Sequence, residues 1–168
     1  MTDMTGSRTD MADKTADQTD QSQEFNNKWK ILWNEYASDT YLYGTELRFL
    51  SKDDVFFKNL LVPPGTAIKT WHSMVNFQAG RIEPTLPIID GEGSYHISVD
   101  IDCDVPGGAF IRLVYFGKNG DEAGALVVED SEMDFKCPLK TYSYEAQLIC
   151  AGAHEIHFHS FTISERTD

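Results

Sequence analysis

Three histidines close to the C-terminus, His154, His157 and His159, are the residues whose type and spacing come nearest to metal chemistry. On a strand, residues two apart project from one face at about 7 Å, so His157 and His159 have the geometry to share one Zn²⁺. A catalytic zinc needs a third protein ligand. Glu155 shares the face but lies on the same line, so the third ligand would have to come from a neighbouring strand. The neighbouring apolar residues also change phase: Ile156 and Phe158 have one parity, Phe161 and Ile163 the other, and all four read as core. A β-bulge near His159-Ser160 reconciles the two sets and leaves the histidines on the outer face. The reading is therefore of outward histidines on a solvated or partner-facing strand, with His157 and His159 as weak metal candidates and no cofactor expected.

Asp100, Asp102 and Asp104 form an acidic row. Carboxylates at i, i+2 and i+4 spread over roughly 13 Å of strand, too far to share one calcium, so a solvated face is the simpler reading. Ser94, in Gly91-Glu92-Gly93-Ser94-Tyr95, lacks the second glycine of a nucleophile elbow and opens a strand rather than a helix. No glycine-rich loop leads from a strand into a helix, which removes the usual phosphate cradle. The chain is read as non-catalytic.

Aromatic side chains offer the remaining chemistry, because sugar rings lie flat on them and protein interfaces favour them. Tyr41, Tyr43 and Trp71 are the candidate glycan or partner contacts, Tyr41 and Tyr43 sharing a face. Tyr142 and Tyr144 share parity with Ala146 and Leu148 and read as core.

The elements that must position these groups alternate with period two. Tyr95-Ile97-Val99-Ile101-Cys103 faces one way and His96-Ser98-Asp100-Asp102-Asp104 the other, the pattern of an antiparallel strand with one wet face. Tyr142 to Cys150 repeats it. Further strands are expected over 40–50, 54–61, 66–79, 123–129 and 154–164, punctuated by Pro63-Pro64-Gly65, Pro106-Gly107-Gly108, Asn119-Gly120 and Ala151-Gly152-Ala153. Trp29, Leu32, Trp33 and Tyr36 allow either a short helix or an edge strand. The stretch Ala109 to Phe116 is apolar on both sides, with Ile111, Leu113 and Tyr115 on one face and Phe110, Arg112, Val114 and Phe116 on the other. The second row is the candidate subunit interface, for self-association or for a partner. Many short strands between turns read as a β-sandwich or a barrel, and the fold class taken is all-β, a two-sheet β-sandwich over 28–168.

Residues 1–27 are different material, rich in Thr, Asp, Gln and Ser with Phe25 as the one aromatic, and are expected to form a disordered polar tail. The remaining composition excludes whole classes. A net charge of −13 over 168 residues argues against nucleic acid and anionic membrane surfaces. Three separated cysteines without a Cys-x-x-Cys pair suit reduced thiols in the cytosol. No basic segment followed by an apolar run opens the sequence, and no apolar stretch is long enough to span a bilayer, so a protein not integral to the membrane is expected.

One combination is demanded by no fold: Ser38-Asp39-Thr40-Tyr41-Leu42-Tyr43-Gly44, then Lys58-Asn59, Pro63-Pro64-Gly65, Trp71 and Pro84-Thr85-Leu86-Pro87. Gly93-Ser94-Tyr95, Met133-Asp134-Phe135 before Pro138, Tyr142-Ser143-Tyr144, Phe158 and Ile163 continue it. Over roughly Trp29 to Glu165 the chain resembles the small third accessory secretory protein of the accessory Sec export system of Gram-positive bacteria. The resemblance implies a jelly-roll sandwich similar to a carbohydrate-binding module and a cytoplasmic, non-catalytic role. It also implies partners: two larger accessory Sec proteins, a serine-rich repeat adhesin preprotein with its glycans, and the accessory export ATPase. It brings no metal and no functional residue. The alternatives are a free-standing carbohydrate-binding module and, from another class, a small metal-dependent enzyme using His157 and His159.

Overall fold

Alternation along the strands becomes two facing layers in a computed structural model of the chain, which describes residues 25–33, 40–73 and 86–166. Ten strands follow in order: β1 (Phe25–Ile31), β2 (Glu46–Ser51), β3 (Asp54–Lys58), β4 (Ala67–His72), β5 (Ser94–Cys103), β6 (Ala109–Phe116), β7 (Glu122–Val128), β8 (Glu132–Lys136), β9 (Ser143–Cys150) and β10 (Glu155–Arg166). One sheet has the order β2-β3-β10-β5-β8, with β1 also paired to β10; the other has the order β4-β9-β6-β7. All named pairings are antiparallel. The expected all-β sandwich is what the chain forms.

The inward faces follow the period-two reading. Tyr95 and Ile97 on β5, Ile111, Leu113 and Tyr115 on β6, Ala146 and Leu148 on β9, and Ile156, Phe158, Phe161 and Ile163 on β10 are all buried. Each large apolar side chain so buried contributes about 1.5–3 kcal/mol against the entropy of ordering the chain.

The phase change in β10 is resolved by a bulge. Phe158 pairs with Ile101 and Ser160 with Asp100, so His159 is the extra residue that resets the parity. The inner edge of the bulge meets an aromatic cluster: Trp71 lies 5.2 Å from Phe158 and 5.1 Å from Phe161 between ring centroids, and Trp33 lies 5.8 Å from Phe158.

Several local expectations are corrected. β1 begins at Phe25, inside the segment assigned to the tail, and pairs Phe25 with Arg166 and Trp29 with Ile163. The helical alternative for Trp29 to Trp33 gives way to this strand, because β10 presents an open ladder beyond the point where β3 leaves it. The strand expected from Thr40 starts only at Glu46, after a turn. The strand expected over 66–79 is seen as Ala67–His72; residues 74–79, like Tyr36 and the tail 1–24, lie outside the described residues. β8 carries the Met133-Asp134-Phe135 run and pairs with β5, an element too short to stand out by periodicity.

Candidate functional site

Part of the stretch that carries the resemblance, Thr40 to Gly44 with Asn59 and Pro63-Pro64-Gly65, lies where β3 ends and the chain crosses to β4 in the other sheet. Thr40 bridges to Lys69, and the chain then turns sharply: Thr45 donates its backbone N–H to the Leu42 carbonyl at 3.1 Å and its hydroxyl to the Tyr41 carbonyl at 2.7 Å. Gly44 sits in this turn at φ +72°, a left-handed conformation that side chains with a Cβ resist. Asn59, only 1% exposed, locks the turn onto the β3–β4 connection. Its Nδ2 donates to the Tyr43 carbonyl at 2.7 Å and to the Thr45 hydroxyl at 2.9 Å, and its Oδ1 accepts from the Leu61 N–H at 2.8 Å. Both amide hydrogens are used and the oxygen is bonded, which is what a buried amide requires. Past it, Thr66 turns back on the Pro63 carbonyl through both its N–H (3.2 Å) and its hydroxyl (2.7 Å), and Gly65 donates to Cys150 at 2.7 Å.

The candidate contact residues separate here. Tyr43 is 76% exposed, whereas Tyr41 is half-buried against the core. Trp71, 1% exposed, donates from Nε1 to the Leu32 carbonyl at 2.8 Å and belongs to the core, so the expected surface contact at this residue is corrected. Its place opposite Ala146 on β9 turns it inward. Tyr142 is the reverse case: expected inside, it is 56% exposed, because β9 starts one residue later and strand parity does not reach it. Tyr144, inside β9, is buried, and burial pushes its phenol well above the ordinary tyrosine range.

The outer row of β6 is less bare than expected. Val114 is 3% exposed, and on the paired β9 Ile149 is 5% exposed. Phe110, Arg112 and Phe116 are half-buried, and Arg112 donates from Nε to Gln147 Oε1 at 3.1 Å across the strand pair.

The histidines point outward but are engaged. His157 Nδ1 lies 3.0 Å from Asp54 Oδ1. His159 Nδ1 lies 2.8 Å from the Asp53 carbonyl, which can only accept, and Nε2 lies 3.2 Å from Asp102 Oδ2. Both ring nitrogens face acceptors, an arrangement that favours the doubly protonated ring. Desolvation pulls its pKa down, but the Asp53 carbonyl, the Asp102 carboxylate and the charges of Asp100 and Asp54 together hold it above the usual histidine value. Among the described residues, no group of three or more His, Cys, Asp or Glu side chains is arranged to hold a metal ion. The acidic row is divided: Asp102 faces His159, and Asp104 Oδ1 accepts the His154 N–H at 3.0 Å.

Comparison with known proteins decides the kinship of this arrangement. The family model described as "Accessory Sec secretory system ASP3" matches residues 40–165, from the Thr40 bridge almost to the end of β10. The chain belongs to this family. It is similar to the accessory Sec system protein Asp3 of Streptococcus gordonii, with 35% identity over 126 residues, 75% of this chain and 79% of that protein. Its fold is similar to a chain in the solved structure of accessory secretory protein 1, 2 and 3 of Streptococcus pneumoniae, with TM-score 0.77, 32% identity, and coverage of 82% of this chain and 96% of that one. A second likeness, TM-score 0.78 at 30% identity, is to a chain in the Glycosylation Associate Protein (Gap123) complex from Streptococcus agalactiae; it covers 84% of this chain and 46% of that one. The Asp3 family match thus includes the turn, Asn59 and the bulged β10, and leaves β1 outside it. Among the described residues, no helix is long and apolar enough to cross a membrane.

Lys58-Asn59 stood out in the sequence, but the part Asn59 plays did not, and Leu60 and Leu61 were not singled out. An Asn followed by two leucines and then Pro63-Pro64-Gly65, where the strand pattern stops, was the available signal.

Proposed function

We propose that the protein is a non-catalytic, cytoplasmic subunit of an accessory Sec complex, which assembles with two larger accessory Sec proteins and acts on a serine-rich repeat adhesin before its export. The match to the Asp3 family over 40–165 carries this reading, supported by the relative solved together with accessory secretory proteins 1 and 2. The architecture suits an assembly role. Its conspicuous polar groups are spent on structure: Asn59 on a turn, His159 on a bulge and Asp104 on the β9–β10 connection. Phe110, Arg112 and Phe116 on the outer face of β6 are one proposed contact. The adhesin, its glycans and the export ATPase complete the proposed set of partners.

The test is isolation of the complex. The full chain, expressed with the two larger accessory Sec proteins from one host, is expected to co-elute with both on size exclusion, and mass spectrometry of a native cytosolic pull-down is expected to recover them with the adhesin. A chain that elutes alone in the presence of both would overturn the reading.

A further inference from the structure

Four large apolar side chains stand exposed on the two loops that Asn59 joins: Leu42 at 49%, Tyr43 at 76%, Leu60 at 65% and Leu61 at 70%. The loops lie side by side, since a Cβ placed on Gly44 would sit 3.7 Å from Leu61 Cδ1 and the Tyr43 carbonyl accepts from Asn59. Single exposed leucines are ordinary, but several gathered on adjacent loops make a patch of the kind that serves a contact. These loops are also held in place before binding. The three Asn59 side-chain bonds and the paired bonds of Thr45 and Thr66 fix the backbone beneath the ridge, which lowers the ordering cost of association.

We infer that the ridge of Leu42, Tyr43, Leu60 and Leu61 is the docking surface for a folded accessory Sec subunit with a matching apolar pocket; this rests on the function proposed above. Other occupants fit less well. Residues 1–24 contain only Met1, Met4 and Met11 as large apolar side chains, too few to cover the ridge. A second copy brings another −13 of charge, which opposes self-association. A serine-rich substrate segment presents hydroxyls and has little apolar surface to bury. A sugar needs hydrogen-bonding groups around its stacking ring, and the buried Asn59 amide beside Tyr43 already spends both its hydrogens on the turn. A folded partner meets both demands of the ridge: an aromatic anchor centred in a desolvated pocket, and aliphatic contacts that keep water out around it. The related chain solved with accessory secretory proteins 1 and 2 shows that a protein of this fold is found in such company.

The experiment uses the full chain with both larger partners, comparing wild type with Tyr43→Asp and with the double variant Leu60→Asp/Leu61→Asp; Leu60→Ala/Leu61→Ala serves if the aspartates disturb folding. Circular dichroism melts are expected to be unchanged, because the altered side chains are exposed. Affinity for one partner is expected to fall at least about 30-fold, the effect of losing one interface hot spot. Folded ridge variants that bind both partners as wild type does would overturn the inference and leave the proposed function intact. Sedimentation showing that wild type dimerises and the ridge variants do not would assign the ridge to a second copy and overturn it. Titration with N-acetylglucosamine that binds wild type but not Tyr43→Asp would do the same. Failure of wild type itself to bind either partner would remove the proposed function and the ridge with it.

Discussion

His159 faces Asp102 at 3.2 Å from the bulge, where β10 carries an extra residue against β5. The bulge that keeps Phe158 and Phe161 both inside also lifts this imidazole between a carboxylate and the Asp53 carbonyl. A local packing requirement has therefore set an imidazole beside a carboxylate on the wet face.

Stability should respond to pH through His159. The folded His159 pKa is raised above its ordinary value, so its contribution is fully present below about pH 6.5 and is lost as pH rises through the folded pKa. NMR titration is expected to place the His159 midpoint above that of an unfolded peptide, and Asp102→Asn to lower it. An opposite limb lies in acid. The hydrogen bond from His96, then that from Arg166, hold the Asp134 carboxyl below the usual range, so its contribution is present above about pH 3.9 and fades as pH falls through the folded pKa.

Replacing Asn59 tests the clamp. Asn59→Ala strips partners from the Tyr43 carbonyl, the Thr45 hydroxyl and the Leu61 N–H, and a loss of about 1–3 kcal/mol is expected in urea unfolding. Gly44→Ala should cost about 1–2 kcal/mol from its left-handed backbone alone, and Gly44→Asn less, since Asn tolerates that region. Equal stability of all three variants and wild type would remove the clamp from the account of this end of the fold.

Cys103 should be a slow thiol. Burial, followed by the charges of Asp104 and Asp102, pushes its pKa up to about 11, so only about one molecule in a thousand carries the thiolate at pH 8. In the folded protein, alkylation of Cys103 by iodoacetamide is expected to run orders of magnitude slower than after denaturation, read by mass spectrometry of the labelled peptide.

Arg112→Glu probes the outer face of β6. Arg112 is half-buried and loses only its bond to Gln147, so the domain should stay folded with a loss of about 1.5–3 kcal/mol. Partner association is expected to slow and to alter its salt dependence, as a charge at the edge of a contact does. A folded variant that associates as wild type does would take this face out of the interface.

Period-two alternation was enough to read an all-β fold, because one buried and one wet face leave a strand little choice of register, and the two separate sheets then distinguish a sandwich from a barrel. The parity conflict among Ile156, Phe158, Phe161 and Ile163 even located the bulge, since all four are apolar and only an extra residue puts them on one side. Local pattern was weaker where strands end. Tyr142 and Tyr144 have the same parity, yet one is exposed and one buried, because the start of β9 depends on its partners rather than on its own sequence. Trp71, read in the sequence as a contact residue, is instead drawn inside by Phe158, Phe161 and the Leu32 carbonyl. The ridge was the least legible feature: Leu42-Tyr43 and Leu60-Leu61 are separated in sequence, and the Asn59 amide ties the two loops that carry them. Composition and alternation determined which faces are wet, since burial of apolar surface acts on each strand locally. Which exposed side chains become neighbours was decided by tertiary hydrogen bonds between loops distant along the chain.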